Sequence, residues 1–190
     1  MNEQELIQKL QLGDEPAFQW LVENYRNRVF HTILNIVQDT ADAEDAAQEV
    51  FMQLFESIGR FKGESALSTW IYRIAVSKAL DKLRRRKTRL RFSKWLPWWM
   101  PEENKSNTSD FYHPGIILDK KEKAAILFKA INTLPEKQRL AFTLVKVQGM
   151  NYREVSVIMS QSIKAIESLI SRARQNLQLQ LESIYYHSLK

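Results

Sequence analysis

The fold class this sequence predicts is all-α: two small helical domains, an N-terminal helical bundle and a C-terminal helix-turn-helix, joined by a flexible linker. Three observations predict it. The 190 residues include only five glycines and five prolines, while Leu, Ala, Gln, Glu, Lys and Arg, which lose little side-chain freedom in a helix, are abundant. Apolar residues recur at three- and four-residue spacing, and no strand-like alternation of any length interrupts them. Between two such periodic stretches lies a polar segment punctuated by Pro97, Pro101 and Pro114, the composition of a connection. The length suits one ordinary domain or two small ones. A content of 44% hydrophobic and 26% charged residues is that of a folded chain.

The elements follow in order. Asp14-Glu15-Pro16 is a helix start, a cap residue followed by proline in the first turn, where its missing N–H costs nothing. Phe18, Leu21, Val22, Tyr25, Val29, Ile33 and Ile36 then mark one buried face. A helix over about residues 42–58 turns Ala43, Ala47, Val50, Phe51, Leu54 and Phe55 inward and Asp42, Asp45, Gln48, Glu49 and Glu56 outward. Gly59 and Gly63 bracket a turn. Ser65 or Ser68 caps the next helix, in which Leu67, Ile71, Ile74 and Ala75 pack while Arg73, Ser77 and Lys78 face out.

Periodicity fades after Lys87 and returns at Lys123, so the chain divides into domains at 1–87 and 123–190 with a linker at 88–122. In the second domain Pro135 starts a helix and Gly149 is placed to end it. Asn151-Tyr-Arg-Glu154 fits a capping box with Asn as the cap. Val155, Ile158 and Met159 form a short apolar stripe, Ser160-Gln-Ser162 a turn, and a last long helix begins near Ile163.

Charge is distributed unevenly. The formal net charge is +6, with a pI near 9.5. Residues 1–76 carry 6 Lys/Arg against 12 Asp/Glu, residues 77–94 carry 9 against 1, and residues 95–190 carry 13 against 9. A dense cationic block beside an acidic region points to a polyanionic partner more than to solubility alone, although a solvated basic helix would carry the same charges. The absence of cysteine excludes disulfides, thiolate metal sites and cysteine nucleophiles, and it fits a reducing cytoplasm. The polar, acidic N-terminus is not a signal peptide, and no apolar run approaches the roughly 18 residues of a membrane span. His31, His113 and His187 are scattered without ligand spacing. No glycine-rich phosphate loop, nucleophile–base pattern or supported carboxylate cluster occurs, so no catalytic residue, metal or cofactor is expected.

The C-terminal pair of helices has the geometry that lays one helix in a major groove. Ile163, Ile166, Ile170, Ala173 and Leu177 mark its buried side, and Lys164, Glu167, Ser168, Ser171, Arg172 and Gln175 the other. Lys and Arg donate to guanine or phosphate, Glu accepts from cytosine, and Ser is permissive. An ordinary helical hairpin with a solvated face shares this spacing. In the N-terminal half, Phe61, Trp70 and Tyr72 lie near Lys62, Arg73 and Lys78, the aromatic–cation mixture that binds unpaired bases at roughly 1–3 kcal/mol per stacked base. Trp70 alone equally suits a core position. Lys82, Arg84, Arg85, Arg86 and Lys87 suit phosphate contacts, which make binding steeply salt dependent. The acidic side at residues 42–56 would repel DNA and so faces away or meets a cationic protein surface.

These blocks together resemble the small bacterial sigma factors of the extracytoplasmic-function group within the sigma-70 family. The resemblance covers about 120 residues. Asp42-Ala-Glu-Asp-Ala-Ala-Gln-Glu-Val-Phe resembles that family's core-polymerase-binding helix. Phe61-Lys-Gly-Glu-Ser65 with Ser68-Thr-Trp-Ile-Tyr-Arg-Ile-Ala75 resembles the segment that opens and reads the minus-ten element. Leu134-Pro-Glu-Lys-Gln-Arg139, Gly149-Met-Asn-Tyr-Arg-Glu-Val155 and Ser171-Arg-Ala-Arg174 resemble the domain that reads the minus-thirty-five element.

The resemblance implies that Asp45, Gln48 and Glu49 contact the clamp helices of the largest subunit of core RNA polymerase. It implies that Lys62, Gly63, Glu64 and Ser65 form a loop around a flipped-out base, with Trp70 beside it and Arg73, Ser77 and Lys78 facing the upstream part of the minus-ten element. Lys164, Glu167, Ser168, Ser171 and Arg172 would enter the major groove of promoter DNA, and an anti-sigma factor is a further implied partner. Ser160 departs from the glycine often found at the turn, and Glu167 and Leu169 from basic residues, which leaves the minus-thirty-five sequence open. A linker of about 35 residues reaches at most roughly 115 Å, enough to bridge promoter elements about 85 Å apart. Trp95-Leu-Pro-Trp-Trp-Met-Pro101 is expected either to dock on the protein's own helices or to clamp the domains together until polymerase binds. The alternative from another class is a stand-alone helix-turn-helix regulator with an N-terminal dimerisation or sensing domain.

Overall fold

The computed structural model describes residues 2–93 and 118–188, with side chains over 2–89 and 126–182. Every regular element among the described residues is helical, and the chain separates into two compact units, Met1–Ser109 and Asp110–Lys190. The Trp segment at 95–101 lies outside the described residues.

The first unit contains α1 (Glu3–Gln11), α2 (Glu15–Val37), α3 (Thr40–Ser57), a single 3-10 turn (Ile58–Arg60) and α4 (Leu67–Ser93). Asp14 caps α2 by accepting the Ala17 N–H at 2.8 Å, with Pro16 in the first turn as the sequence predicts. Asp39 caps α3 in the same way through the Asp42 N–H at 2.9 Å. Helix α2 packs against both α3 and α4, which also pack on each other. The core between them holds Leu21, Val29, Ile33 and Ile36 of α2, Ala43, Ala46, Val50 and Leu54 of α3, and Leu67, Ile71, Ala75 and Ala79 of α4. Each buried Leu, Ile or Val contributes about 1.5–3 kcal/mol, and the alanines let the helix backbones approach closely.

Four local features differ from the sequence reading. Helix α1 is an addition to the elements read from sequence; of its apolar residues Leu6, Ile7 and Leu10, Leu6 and Leu10 are buried. Phe55 is 61% exposed, because α3 needs only the narrower stripe of Ala43, Ala46, Val50 and Leu54 to cover its neighbours. The start of α4 is capped neither by Ser65 nor by Ser68: Glu3 Oε1 accepts the Leu67 N–H at 2.6 Å. Helix α4 continues to Ser93. Its last turns are rich in Arg and Lys, which are good helix formers but carry no apolar periodicity.

The second unit contains α5 (Leu118–Thr133), α6 (Glu136–Phe142), a π-helical turn (Thr143–Val147), α7 (Tyr152–Met159) and α8 (Ile163–Ser188). Phe128, Ala130, Ile131 and Leu134 pack on Ala173 and Leu177 of α8. Val155, Ile158, Ile166 and Ile170 are buried as well. Gly149 at φ +71° ends the π-helical stretch in a conformation that suits glycine. The capping box is complete: Asn151 Oδ1 accepts the Glu154 N–H at 2.9 Å, and Glu154 Oε2 accepts the Asn151 N–H at 2.9 Å. Ile163, expected inside, is 44% exposed, because the first position of α8 projects beyond α7.

Candidate protein and nucleic-acid interfaces

Helix α3 gathers the acidic residues at i, i+3 and i+4 spacing, which stacks them along one stripe. Asp45 and Gln48 are exposed and Glu49 is half-buried. The same stripe carries Met52, 64% exposed, and Phe55, whose ring meets Phe18 edge-on at 5.2 Å between centroids. An open groove beside it is lined by Glu49, Met52, Gln53, Glu56 and Lys78. Acid flanked by exposed apolar groups is a composition that suits a protein-docking surface. Met52 was not singled out from sequence, although its spacing from Gln48 and Glu49 puts it on their stripe.

Helix α4 lies against this face, and its cations divide into two sets. Lys78 Nζ stands 3.3 Å from Glu49 Oε2, and Lys82 Nζ stands 3.3 Å from Asp45 Oδ2 and 3.9 Å from Glu49 Oε1. Positions 78 and 82 are one turn apart and point toward α3. Arg73, Ser77, Arg84, Arg85 and Lys87 are exposed, and Arg86 is half-buried. Arg84 also meets Asp81 on its own helix at 3.2 Å. The structure therefore brings Lys78 and Lys82, expected on the DNA side, into ion pairs with the acids expected on the protein side.

The turn between α3 and α4 presents Lys62, Gly63, Glu64 and Ala66 to solvent, with Ser65 half-buried. Gly63 adopts φ +72°, a conformation that favours glycine. Phe61 is buried, and its ring contacts Trp70 at 5.0 Å between centroids with a 40° tilt. Trp70 is half-buried, so it both leans on the core and keeps surface beside the loop. Helix α1 holds this turn from behind: Gln11 Nε2 donates to the Phe61 carbonyl at 2.9 Å, and Glu3 caps α4 at Leu67. Burial, then the neighbouring Tyr72 and Glu3, hold the Tyr25 phenol above its ordinary pKa, with Arg28 partly offsetting them.

In the second unit, α7 and α8 form a helix-turn-helix. Ser160 at φ +52° closes α7 in the left-handed conformation, which explains why glycine suits this position. Ser162 Oγ accepts the Ala165 N–H at 3.2 Å and caps α8. With Ile166, Ile170, Ala173 and Leu177 buried, the opposite side of α8 presents Lys164, Glu167, Ser171 and Arg172, all exposed, with Ser168 at its edge. Asn176 Nδ2 donates to Gln138 Oε1 at 2.9 Å and ties α8 to α6, fixing the roll of the helix. Burial lowers the pKa of Arg139 in α6, partly offset by Glu136. Among the described residues no group of three or more His, Asp or Glu could hold a metal ion, and no helix is long and apolar enough to cross a membrane.

An acidic and apolar stripe packed on a cationic helix, with a helix-turn-helix in a second unit, is the arrangement expected of a DNA-binding protein that also holds another protein. Comparison with known proteins makes the class specific. Residues 21–89 match the family model of sigma-70 region 2, and residues 124–177 match that of sigma-70 region 4. The chain is 31% identical over 184 residues to the RNA polymerase sigma-H factor of Pseudomonas aeruginosa, covering 96% of this chain and 95% of the relative. It is 31% identical over 176 residues to the ECF RNA polymerase sigma-E factor of Escherichia coli, covering 92% of each. Two solved structures share the fold. One is CnrH in complex with the cytosolic domain of CnrY, at TM-score 0.69, 20% identity, and 95% and 97% coverage of this chain and that one. The other is the sigma factor RpoE with the anti-sigma factor NepR from Bartonella quintana, at TM-score 0.67, 22% identity, and 87% and 96% coverage.

The protein is a transcription initiation sigma factor, of the class that binds core RNA polymerase and promoter DNA through regions 2 and 4. Within that class, the chain belongs to the extracytoplasmic-function group of the sigma-70 family.

Proposed function

We propose that residues 1–87 form the polymerase- and minus-ten-binding domain, residues 123–190 the minus-thirty-five-binding domain, and residues 88–122 the connection between them, into which α4 extends to Ser93 and α5 from Leu118. The observation that carries this reading is the packing of acidic α3 on cationic α4, with Lys78 and Lys82 meeting Glu49 and Asp45. A protein-docking face and a DNA-facing helix thereby share one rigid surface.

Asp45, Gln48 and Glu49 dock on the clamp helices of polymerase, with Met52 and Phe55 filling the apolar part of the contact. Lys62, Gly63, Glu64 and Ser65 surround an unpaired base of the minus-ten element, Trp70 supplies a ring edge beside it, and Arg73, Ser77 and Lys78 follow the strand upstream. Arg84, Arg85, Arg86 and Lys87 brace the phosphates, where each neutralised phosphate steepens the salt dependence, while Lys82, held by Asp45 and Glu49, adds to them only where those pairs open. Lys164, Glu167, Ser168, Ser171 and Arg172 enter the major groove, with Arg172 the strongest candidate for a bidentate contact to guanine. Melting is a matter of binding the separated strand more tightly than the duplex, so the chain itself catalyses no reaction. It works in the cytoplasm beside polymerase. The docking face of α3 is equally suited to an anti-sigma factor, the kind of partner named for the structural relative from Bartonella quintana.

Transcription in vitro with purified core enzyme tests the reading. The chain is expected to form a holoenzyme and to support promoter-specific starts. Failure to bind core would sink the reading, whereas tight binding to promoter duplex by the free protein would support a stand-alone regulator instead.

A further inference from the structure

Helix α1 lies ahead of the segment that the region 2 family model matches, residues 21–89. Its two ends nevertheless reach the two ends of the candidate base-binding loop. At the front, Glu3 Oε1 accepts the Leu67 N–H at 2.6 Å. Leu67 is the first residue of α4, where backbone N–H groups lack helical partners and a carboxylate is favoured by the helix dipole. At the back, Gln11 Nε2 donates to the Phe61 carbonyl at 2.9 Å and reaches the Ile58 carbonyl at 3.5 Å.

The five residues between these anchors are Lys62, Gly63, Glu64, Ser65 and Ala66, four of them exposed. Gln11 stands eight helical steps beyond Glu3, about 12 Å along the axis, and Leu6 and Leu10 bury the strut against the domain. Both anchors also bear on Trp70. Phe61, held by Gln11, carries the ring on which Trp70 leans. The Trp70 N–H bonds to the Ala66 carbonyl at 3.2 Å, within the turn that Glu3 caps.

We propose that α1 is a strut that sets the width and register of the loop at residues 62–66, with Glu3 and Gln11 as positioning residues for recognition of the unpaired minus-ten base. Neither side chain touches DNA; each holds a backbone group whose displacement would misplace Lys62, Glu64 or Trp70. The inference rests on reading that loop as the base-binding site, so its test carries a separate control for that reading.

The experiment uses holoenzyme reconstituted from the full chain and purified core. Glu3→Ala, Gln11→Ala and their combination are compared with Glu3→Gln, which keeps an acceptor, and with the loop variant Lys62→Ala plus Glu64→Ala. Three quantities are measured: affinity for core, permanganate reactivity of minus-ten thymines, and relative transcription from pre-melted promoters differing by one minus-ten base. The double α1 variant is expected to open promoters about tenfold less, the scale of one lost helix cap. It should also flatten the preference among pre-melted promoters while core affinity is unchanged, with Glu3→Gln recovering most of the loss at its anchor. If the loop variant fails to open but the α1 variants behave as the parent, the loop assignment stands and the strut is wrong. Normal opening by the loop variant removes the site and the strut together. A parallel fall in core affinity for the α1 variants would reduce α1 to a structural element and overturn the proposal.

Discussion

The two helices assigned to DNA hold their cations in opposite ways. On α4, Lys78 and Lys82 are already matched to the carboxylates of Glu49 and Asp45, and the Lys82 side chain is only 17% exposed. On α8, Lys164 and Arg172 are exposed and form no ion pair among the described residues. The difference follows from the neighbours. Helix α4 packs on a helix whose outer stripe is acidic, whereas α8 packs on α5, α6 and α7 through an apolar side. Under the proposed function, the N-terminal surface thus offers its charges to two partners at once, while the C-terminal surface serves one.

The largest expected effect breaks the N-terminal side of this contrast. Asp45→Lys with Glu49→Lys places four cations where two acids and two bases now balance, and it reverses the charge offered to polymerase. Charge pairs at protein interfaces are worth about 2–5 kcal/mol when truncated, so core affinity should fall by roughly two orders of magnitude or more. Titration of labelled core measures it. Binding of the C-terminal unit to minus-thirty-five duplex should not change. If core affinity held within threefold, α3 would not be the docking face.

A smaller effect compares one cation from each region. Arg172→Ala should weaken binding to a minus-thirty-five duplex by about 1–3 kcal/mol and relax the preference at one base pair. Lys82→Ala should cost promoter binding much less, since that ammonium already has protein partners, and its larger consequence should be a change in core affinity. Binding isotherms across a salt series separate the two, because losing a true phosphate contact lowers the salt slope by about 1. A full unit of slope lost with Lys82 would mean that its pairs open on DNA.

How far the sequence foretells these surfaces depends on whether a residue's role is local. Asp14, Asn151 and Gly149 act within a few residues of themselves, and their caps and turn are legible from neighbours alone. The buried stripe of α8 is legible too, apart from Ile163 at its exposed first position. The Lys78–Glu49 and Lys82–Asp45 pairs are not, because each side chain reads equally well as solvated, and only the packing of α3 on α4 joins them. Glu3 is the extreme case. It caps a helix that begins 64 residues later, and although Asn2 with Glu5 and the spacing of Leu6 and Leu10 signal a short helix at residues 3–11, nothing local says which distant N–H its carboxylate meets. Phe55 misleads in the opposite direction, since apolar periodicity cannot distinguish a core position from an interface one.

The helix-turn-helix gives a test of intermediate size. Ser160 holds φ +52° where a side chain is disfavoured by about 1 kcal/mol relative to glycine. Ser160→Gly should therefore raise the stability of the C-terminal unit by roughly 0.5–1 kcal/mol, read as a higher denaturation midpoint. Gln38 ends α2 at φ +55° and provides the N-terminal counterpart. Gln38→Gly should gain less, because the glutamine side chain has interactions to lose. Equal gains at both sites would show that backbone conformation alone governs the two turns.

The smallest effect is the coupling within the α3–α4 pairs themselves, and it decides whether the N-terminal surface can change partners. Lys78 and Glu49 have side chains 26% and 37% exposed, partly screened by solvent. Exposed ion pairs typically contribute about 0.2–1 kcal/mol, and a double-mutant cycle with Lys78→Ala and Glu49→Ala should fall in that range and shrink as salt is added. A coupling so small is what an exchangeable contact requires, because polymerase or DNA then displaces the internal partner at little cost. A coupling above about 2 kcal/mol would make the pair a structural tie. In that case Glu49 would stay with Lys78 on polymerase, and docking would fall to Asp45, Gln48 and the exposed side chains of Met52 and Phe55.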